Sequence, residues 1–157
     1  MTFWPFRKRA AESVDLATLS AQERIERALA RLEAARWRPE GPSTPASVAA
    51  AEEALGVIFP ADYRTFLLAT GRPSQGPPWF GLWRVDELVN LNRHLPVFRW
   101  YPGLVGIANC GGFLVFALDY RERSVPHVVS VGLSSSEQAD VVSEGDTFVE
   151  WLERTLP

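Results

Sequence analysis

Residues 104–119, LVGIANCGGFLVFALD, place a glycine pair between two apolar runs. Successive side chains of a strand point to opposite faces, so a run such as FLVFAL, apolar on both faces, belongs in the middle of a sheet. Gly111 and Gly112 permit the positive φ angles of a tight turn because neither carries a Cβ. We therefore read 104–108 and 113–118 as strands joined by a turn at 110–112. A third strand follows at 125–131, with Pro126 near its start, where a strand end or sheet edge tolerates it.

Upstream the period changes to that of a helix. Ser20 and Glu23 form a capping-box pair ahead of a helix over 21–37. Ile25, Ala28, Leu29, Leu32 and Ala35 share its buried face. Thr44 and Pro45 open a second helix over 45–55 with Val48, Ala51 and Leu55 inward, and Gly56 caps it. Pro60 opens a third, ADYRTFLLAT, with Tyr63, Phe66, Leu67 and Thr70 on one face and Gly71 at its end. RPSQGPP reads as a surface loop, 79–84 as a strand, and 85–92 as a turn or short helix begun near Asp86. A closing helix over 146–156 turns Phe148, Trp151 and Leu152 inward. Helices, then strands, then a helix argue for an α+β fold with an antiparallel or mixed sheet. No GxGxxG sequence or phosphate-binding loop is present.

The 157 residues suit one domain. We expect a tail over 1–19, with Phe3, Trp4 and Phe6 beside Arg7, Lys8 and Arg9, and a single domain over 20–157. The net charge is -3, and it is uneven: residues 43–157 hold 8 basic and 13 acidic side chains. That balance speaks against direct nucleic-acid binding and for a basic partner. The single cysteine fits a reducing cytoplasm and leaves no internal disulfide. No apolar run reaches the length of a membrane span.

The segment PASVAAAEEALGVIFPADYRTFLLATG resembles the opening signature of the SUKH superfamily, carried by Glu52, Leu55, Gly56, Phe59, Pro60, Asp62, Tyr63, Phe66, Leu67 and Gly71. GLVGIANCGGFLVFALD is similar to the family's glycine-rich hairpin, and VPHVVSV with DTFVEWLERTL to its next strand and closing helix. Thr70 stands where the family usually places Asn. The superfamily includes bacterial immunity proteins and fungal cell-wall-assembly regulators. The resemblance implies a non-enzymatic protein-binding domain. It points first to a cytoplasmic immunity protein that neutralises a cognate toxin, often a nuclease encoded nearby, by stoichiometric binding. A regulatory adaptor is the alternative. The chain is expected to be a monomer or weak dimer.

Catalytic equipment is sparse. Cys110 with His94 and His127 would supply a nucleophile and a base, but no third residue is placed to orient them. Two histidines without a nearby carboxylate motif give no metal-ligand spacing, and neither metal nor cofactor is expected. Asp119 is expected to brace the 120–124 turn, and Glu52 and Glu53 to lie on a solvated helix face. Trp37 and Trp151 read as core. The remaining aromatics sit with charge: Trp79, Trp83, Arg84, Asp86 and Glu87 in one group, and Arg99, Trp100 and Tyr101 in another. Aromatic rings with arginine are the residue types that anchor interfaces. Glu137 and Asp140 add an acidic rim that would steer a basic partner. These ten residues are the expected partner-binding set.

Overall fold

The computed structural model describes residues 18–35, 38–39, 41–70, 73–75, 81–135 and 140–156. The tail aromatics and cations, Trp37, Gly71, Trp79 and Glu137 lie outside these residues.

Among the described residues, six helices and seven strands follow in order: α1 (Ala21–Ala34), β1 (Arg38–Pro39), α2 (Pro45–Leu55), α3 (Ala61–Thr70), β2 (Pro73–Gln75), β3 (Gly81–Leu82), α4 (Val85–His94), α5 (Val97–Trp100), β4 (Leu104–Cys110), β5 (Leu114–Asp119), β6 (His127–Gly132), β7 (Val142–Gly145) and α6 (Phe148–Thr155). β3 to β7 form a five-stranded antiparallel sheet in sequence order, and β1 pairs with β2 separately. The architecture is α+β, and FLVFAL lies in its central strand, β5. The structure adds elements that the pattern did not predict. α5 is a single turn, β7 is half polar, and β2 occupies part of the segment read as loop.

The caps form as their residue types require. Ser20 Oγ accepts the Glu23 N–H at 3.3 Å while Glu23 accepts the Ser20 N–H at 2.8 Å, so two otherwise orphaned donors are satisfied. Thr44 and Ser47 exchange equivalent bonds at the start of α2. Gly56 closes α2 at φ 68°. In the hairpin, Gly111 and Gly112 have φ 54° and 82°, and the Phe113 N–H donates to the Cys110 carbonyl at 3.0 Å.

Both faces of the sheet are covered. Phe116 meets Trp151 of α6 at 5.1 Å between ring centroids. Val115 and Ala117 therefore point to the opposite face, and both are buried too. Beneath α6, Phe59, Tyr63, Phe66 and Phe148 form a cluster with centroids 4.8–5.2 Å apart. The Tyr63 hydroxyl finds no hydrogen-bond partner among the described residues, and burial raises its pKa far above that of an ordinary phenol. Among the described residues no helix is long and apolar enough to cross a membrane.

Candidate protein-binding surface

The acids of the α2–α3 signature point inward. Glu52 is buried, contrary to the solvated position expected of it, whereas Glu53 is exposed. Glu52 Oε1 accepts the Phe59 N–H at 2.7 Å, and Glu52 Oε2 meets Arg64 at 3.2 Å. The linker between α2 and α3 is thereby held in place. Helical periodicity over this short, alanine-rich helix did not separate the two neighbouring glutamates, because the apolar linker that covers Glu52 lies seven residues on. Asp62 accepts from the Tyr63 N–H at 2.9 Å and from the Val149 N–H at 2.9 Å. It thus ties the first turn of α3 to the first turn of α6, where both helices present unsatisfied donors.

Asp119 ends β5 and braces the following turn, as expected. Its Oδ1 accepts the Arg121 N–H and Nε, each at 2.9 Å, and Oδ2 meets Arg121 Nη2 at 2.6 Å. His127 Nε2 lies 4.0 Å away. Burial opposes ionisation of this carboxyl, but the bonds from Arg121 outweigh it and hold the pKa below the usual carboxylate range.

The other side of the sheet is organised around a bulge. β4 shifts register between Gly106 and Ala108. Asn92 of α4 satisfies Gly106 on both sides: the Gly106 N–H donates to Oδ1 at 2.7 Å, and Nδ2 donates to the Gly106 carbonyl at 3.0 Å. The Trp83 N–H donates to the Ile107 carbonyl at 2.9 Å. A Cβ on Gly106 would stand 2.4 Å from Phe98 and 2.6 Å from Trp83, so only glycine allows those rings onto the strand.

This packing divides the expected partner-binding set. Trp83 and Tyr101 are 6% and 3% exposed. Trp83 Nε1 donates to Asn109 at 3.3 Å, and its ring meets Phe98 edge-on. Both side chains serve the core, because the bulge draws the α4 segment down onto β4. Arg84 forms paired bonds to Asp86 at 2.8 and 2.9 Å, and Glu87 accepts the Arg84 N–H at 3.1 Å, so this trio also organises the start of α4. The Tyr101 hydroxyl lies 2.7 Å from Ser135 Oγ, which donates to Asp140. Tyr101 and Asp140, 39 positions apart in sequence, are thus joined through one serine.

Large apolar side chains are exposed in more than one place: Phe113 at the glycine hairpin is 81% exposed, and a second set lies near α5 and the β5–β6 connection. Trp100 is 65% exposed, with Arg99 exposed beside it. Ile58 and Val125, which the sequence reading did not single out, are 77% and 62% exposed. All three lie at one end of the sheet. The Ile58 carbonyl accepts the Tyr120 hydroxyl at 2.8 Å, and the Tyr120 N–H donates to the Gly103 carbonyl three residues beyond Trp100. Val125 lies in the connection from β5 to β6. Ile58 had one available signal: it is the middle residue of an apolar triplet whose third member, Phe59, is buried.

The residues considered for nucleophilic chemistry are not brought together. Cys110 pairs with Leu114 and His127 with Asp119, at opposite ends of β5. Five residues of strand separate them, roughly 17 Å. No group of three or more metal-ligating side chains forms among the described residues.

The buried acids, the Gly-Gly hairpin and the closing helix lie within one matched region. The model of the SMI1 / KNR4 family (SUKH-1) matches residues 42–154. The chain belongs to this family. No curated protein gives a significant match to the chain. SUKH-1 membership makes the chain, in general terms, a non-catalytic domain that binds protein. Within the matched region lie both the structural acids of α2–α3 and the exposed end bearing Ile58, Trp100 and Val125.

Proposed function

We propose that this SUKH-1 chain is an immunity protein that blocks a cognate toxin by stoichiometric binding. The observation that carries the reading is the exposed ring of Trp100, with Ile58 and Val125 also exposed toward the same end of the sheet. Scattered apolar residues are ordinary on a surface, whereas a group containing a tryptophan has the composition of an interface centre. Arg99 is the neighbour of Trp100 in sequence, and Asp86, Glu87 and Asp140 contribute to the acidic charge that would draw in a basic toxin domain. Glu137 and Trp79, expected in the same set, lie outside the described residues.

Co-expression with the product of the neighbouring gene tests the proposal. A stable equimolar complex and relief of toxicity are expected. Persistent toxicity, with no complex on gel filtration, would reject it. The adaptor reading predicts instead that several housekeeping proteins, and no single toxin domain, are retained from lysate.

A further inference from the structure

The acids of the expected binding set differ in what holds them. Asp86 receives paired bonds from Arg84 at 2.8 and 2.9 Å, so its charge is compensated within the fold. Glu87 accepts the Arg84 N–H at 3.1 Å and is committed to the start of α4. Asp140 is exposed and forms no ion pair among the described residues. It is nevertheless held. Ser135 Oγ donates to Asp140 Oδ2 at 2.5 Å, and the Tyr101 hydroxyl lies 2.7 Å from the same Oγ. A serine hydroxyl has one proton, and the carboxylate takes it, so Tyr101 is the donor in the second bond. The chain of bonds therefore runs from Tyr101 through Ser135 to Asp140. Tyr101 is 3% exposed, and its own N–H donates to the Val97 carbonyl at 3.2 Å, closing α5. An exposed carboxylate is thus fixed to a buried ring at the end of α5, one residue after Trp100.

We propose that Asp140 is the contact for a cationic side chain, an arginine or a lysine, of the protein partner, and that Ser135 is its positioning residue. The proposal deepens the toxin-binding reading and rests on it for the identity of the partner. A free surface carboxylate loses side-chain freedom when it is bound, and that cost offsets much of what an exposed ion pair gains. At Asp140 the fold has restricted the side chain before the partner arrives. The restraint comes from a neutral hydroxyl, so the negative charge stays uncompensated, unlike that of Asp86 beside Arg84. Ser135 occupies Oδ2, and a carboxylate accepts on both oxygens, which leaves Oδ1 for the cation. A bond from a hydroxyl to a carboxylate is of the stronger, charge-assisted kind, and donation from Tyr101 polarises it further. Ser135 therefore turns a mobile surface acid into an aimed one.

N-acetyl-arginine methylamide, which carries a single guanidinium group, serves as the probe. It is titrated into the isotope-labelled full chain at low ionic strength and followed by nuclear magnetic resonance. Saturable amide shifts centred on Tyr101, Ser135 and Asp140 are expected, and they should diminish with added salt because exposed charges are screened. Asp140→Asn should abolish them. Ser135→Ala should weaken the probe's affinity about threefold, and Ser135→Thr, which restores a hydroxyl, should recover it. Tyr101→Phe removes only the first donor of the chain and keeps the test decisive if Ser135→Ala unfolds. Absence of saturable shifts at Asp140 overturns the proposal, as do shifts of equal size at the exposed acids Asp86 and Glu122. Equal loss in Ser135→Ala and Ser135→Thr overturns the positioning role. Where co-expression yields the equimolar complex, Asp140→Asn should bind the partner about tenfold more weakly. A complex of unchanged affinity in that variant overturns the cation contact and leaves the toxin reading standing. Localised probe binding without any complex supports the cation contact and rejects the toxin reading alone.

Discussion

The α2–α3–α6 side and the α4–α5 side of the molecule use the same residue types in opposite ways. On the first, Glu52 and Asp62 are buried and every carboxylate oxygen described accepts from a backbone N–H or meets an arginine. On the second, Asp86 and Asp140 remain exposed, and Trp100 stands out from a segment whose other rings, Trp83 and Tyr101, are buried. The residues that make the family recognisable are therefore those that hold the fold together. Trp100, Asp86 and Asp140 lie outside the segments that carry the family signature, whereas Ile58 and Val125 lie within them. Side chains outside the signature, such as Trp100, could change without disturbing the buried bonds.

The strongest way to break the comparison is at Asp62. Replacement by Ala strands the buried N–H groups of Tyr63 and Val149 at two helix starts, and we expect a loss of about 3 kcal/mol. Asp62→Asn keeps an acceptor oxygen and should lose less. Urea denaturation measures both. If Asp62→Ala unfolds with an unchanged midpoint, the buried acids are not what holds α3 to α6.

Gly106 anchors the α4–α5 side to the sheet, and its replacement comes next in size. An alanine Cβ would lie within 2.4 Å of Phe98 and 2.6 Å of Trp83. Overpacking of this kind costs about 2 kcal/mol. The strain falls on the rings beneath α5, so near-ultraviolet circular dichroism should change along with the melting temperature. A thermally neutral Gly106→Ala would show that the α5 segment can lift off the bulge without penalty, and would make Trp83 and Phe98 poor anchors for the exposed end.

These two sites also show what was legible in the sequence. The hairpin, the central strand and the caps of α1 and α2 could be read directly, because each depends on residues close together in the chain. Asp62 appeared only as a member of a resemblance, since its second partner, Val149, is 87 positions away. The bulge at Gly106 was invisible for the same reason: nothing near it announces that Asn92 and Trp83 will bond to the strand there. For that reason the sequence did not show that Trp83 and Tyr101 would be buried. They stand in Pro- and Gly-rich sequence with charged neighbours, which is the composition of a surface, yet a non-local contact folds them inward. Trp100 has the same local composition and stays outside. Residue type identified an aromatic segment, and only the strand beneath it decides which rings are free.

Asp119 sharpens the comparison through pH. Its carboxyl is held below the ordinary aspartate value of 3.8, with Arg121 and His127 as the charged groups facing it. A depressed folded pKa contributes stability that is present above the unfolded pKa and lost as pH falls through the folded one. Wild-type protein should therefore lose melting temperature as pH drops below about 4. Asp119→Asn should be less stable at neutral pH and show a shallower acid decline. If the two declines run parallel, the Arg121 bonds contribute nothing beyond what the unfolded chain already has.

The smallest effect on stability is expected at Trp100, and there the comparison is most exposed to failure. With 65% of the residue in solvent, Trp100→Ala removes little buried area, and the melting midpoint should move by less than about 0.5 kcal/mol. Loss of a tryptophan from an interface centre, by contrast, commonly weakens binding by about 2 kcal/mol or more. Calorimetric titration of the purified partner against wild type and Trp100→Ala therefore separates the two roles in one pair of proteins. Ile58→Ser and Val125→Ser belong in the same series, since both occupy the same end of the sheet and neither is part of the core. Reduced affinity in all three with unchanged melting would place the contact at this end. Unchanged affinity in all three would remove it from the interface, and the acidic side chains at the start of α4 would then have to act without an aromatic anchor. Destabilisation at Trp100 would mean instead that the α4–α5 side, like the α2–α3–α6 side, uses its conspicuous residues to hold the fold.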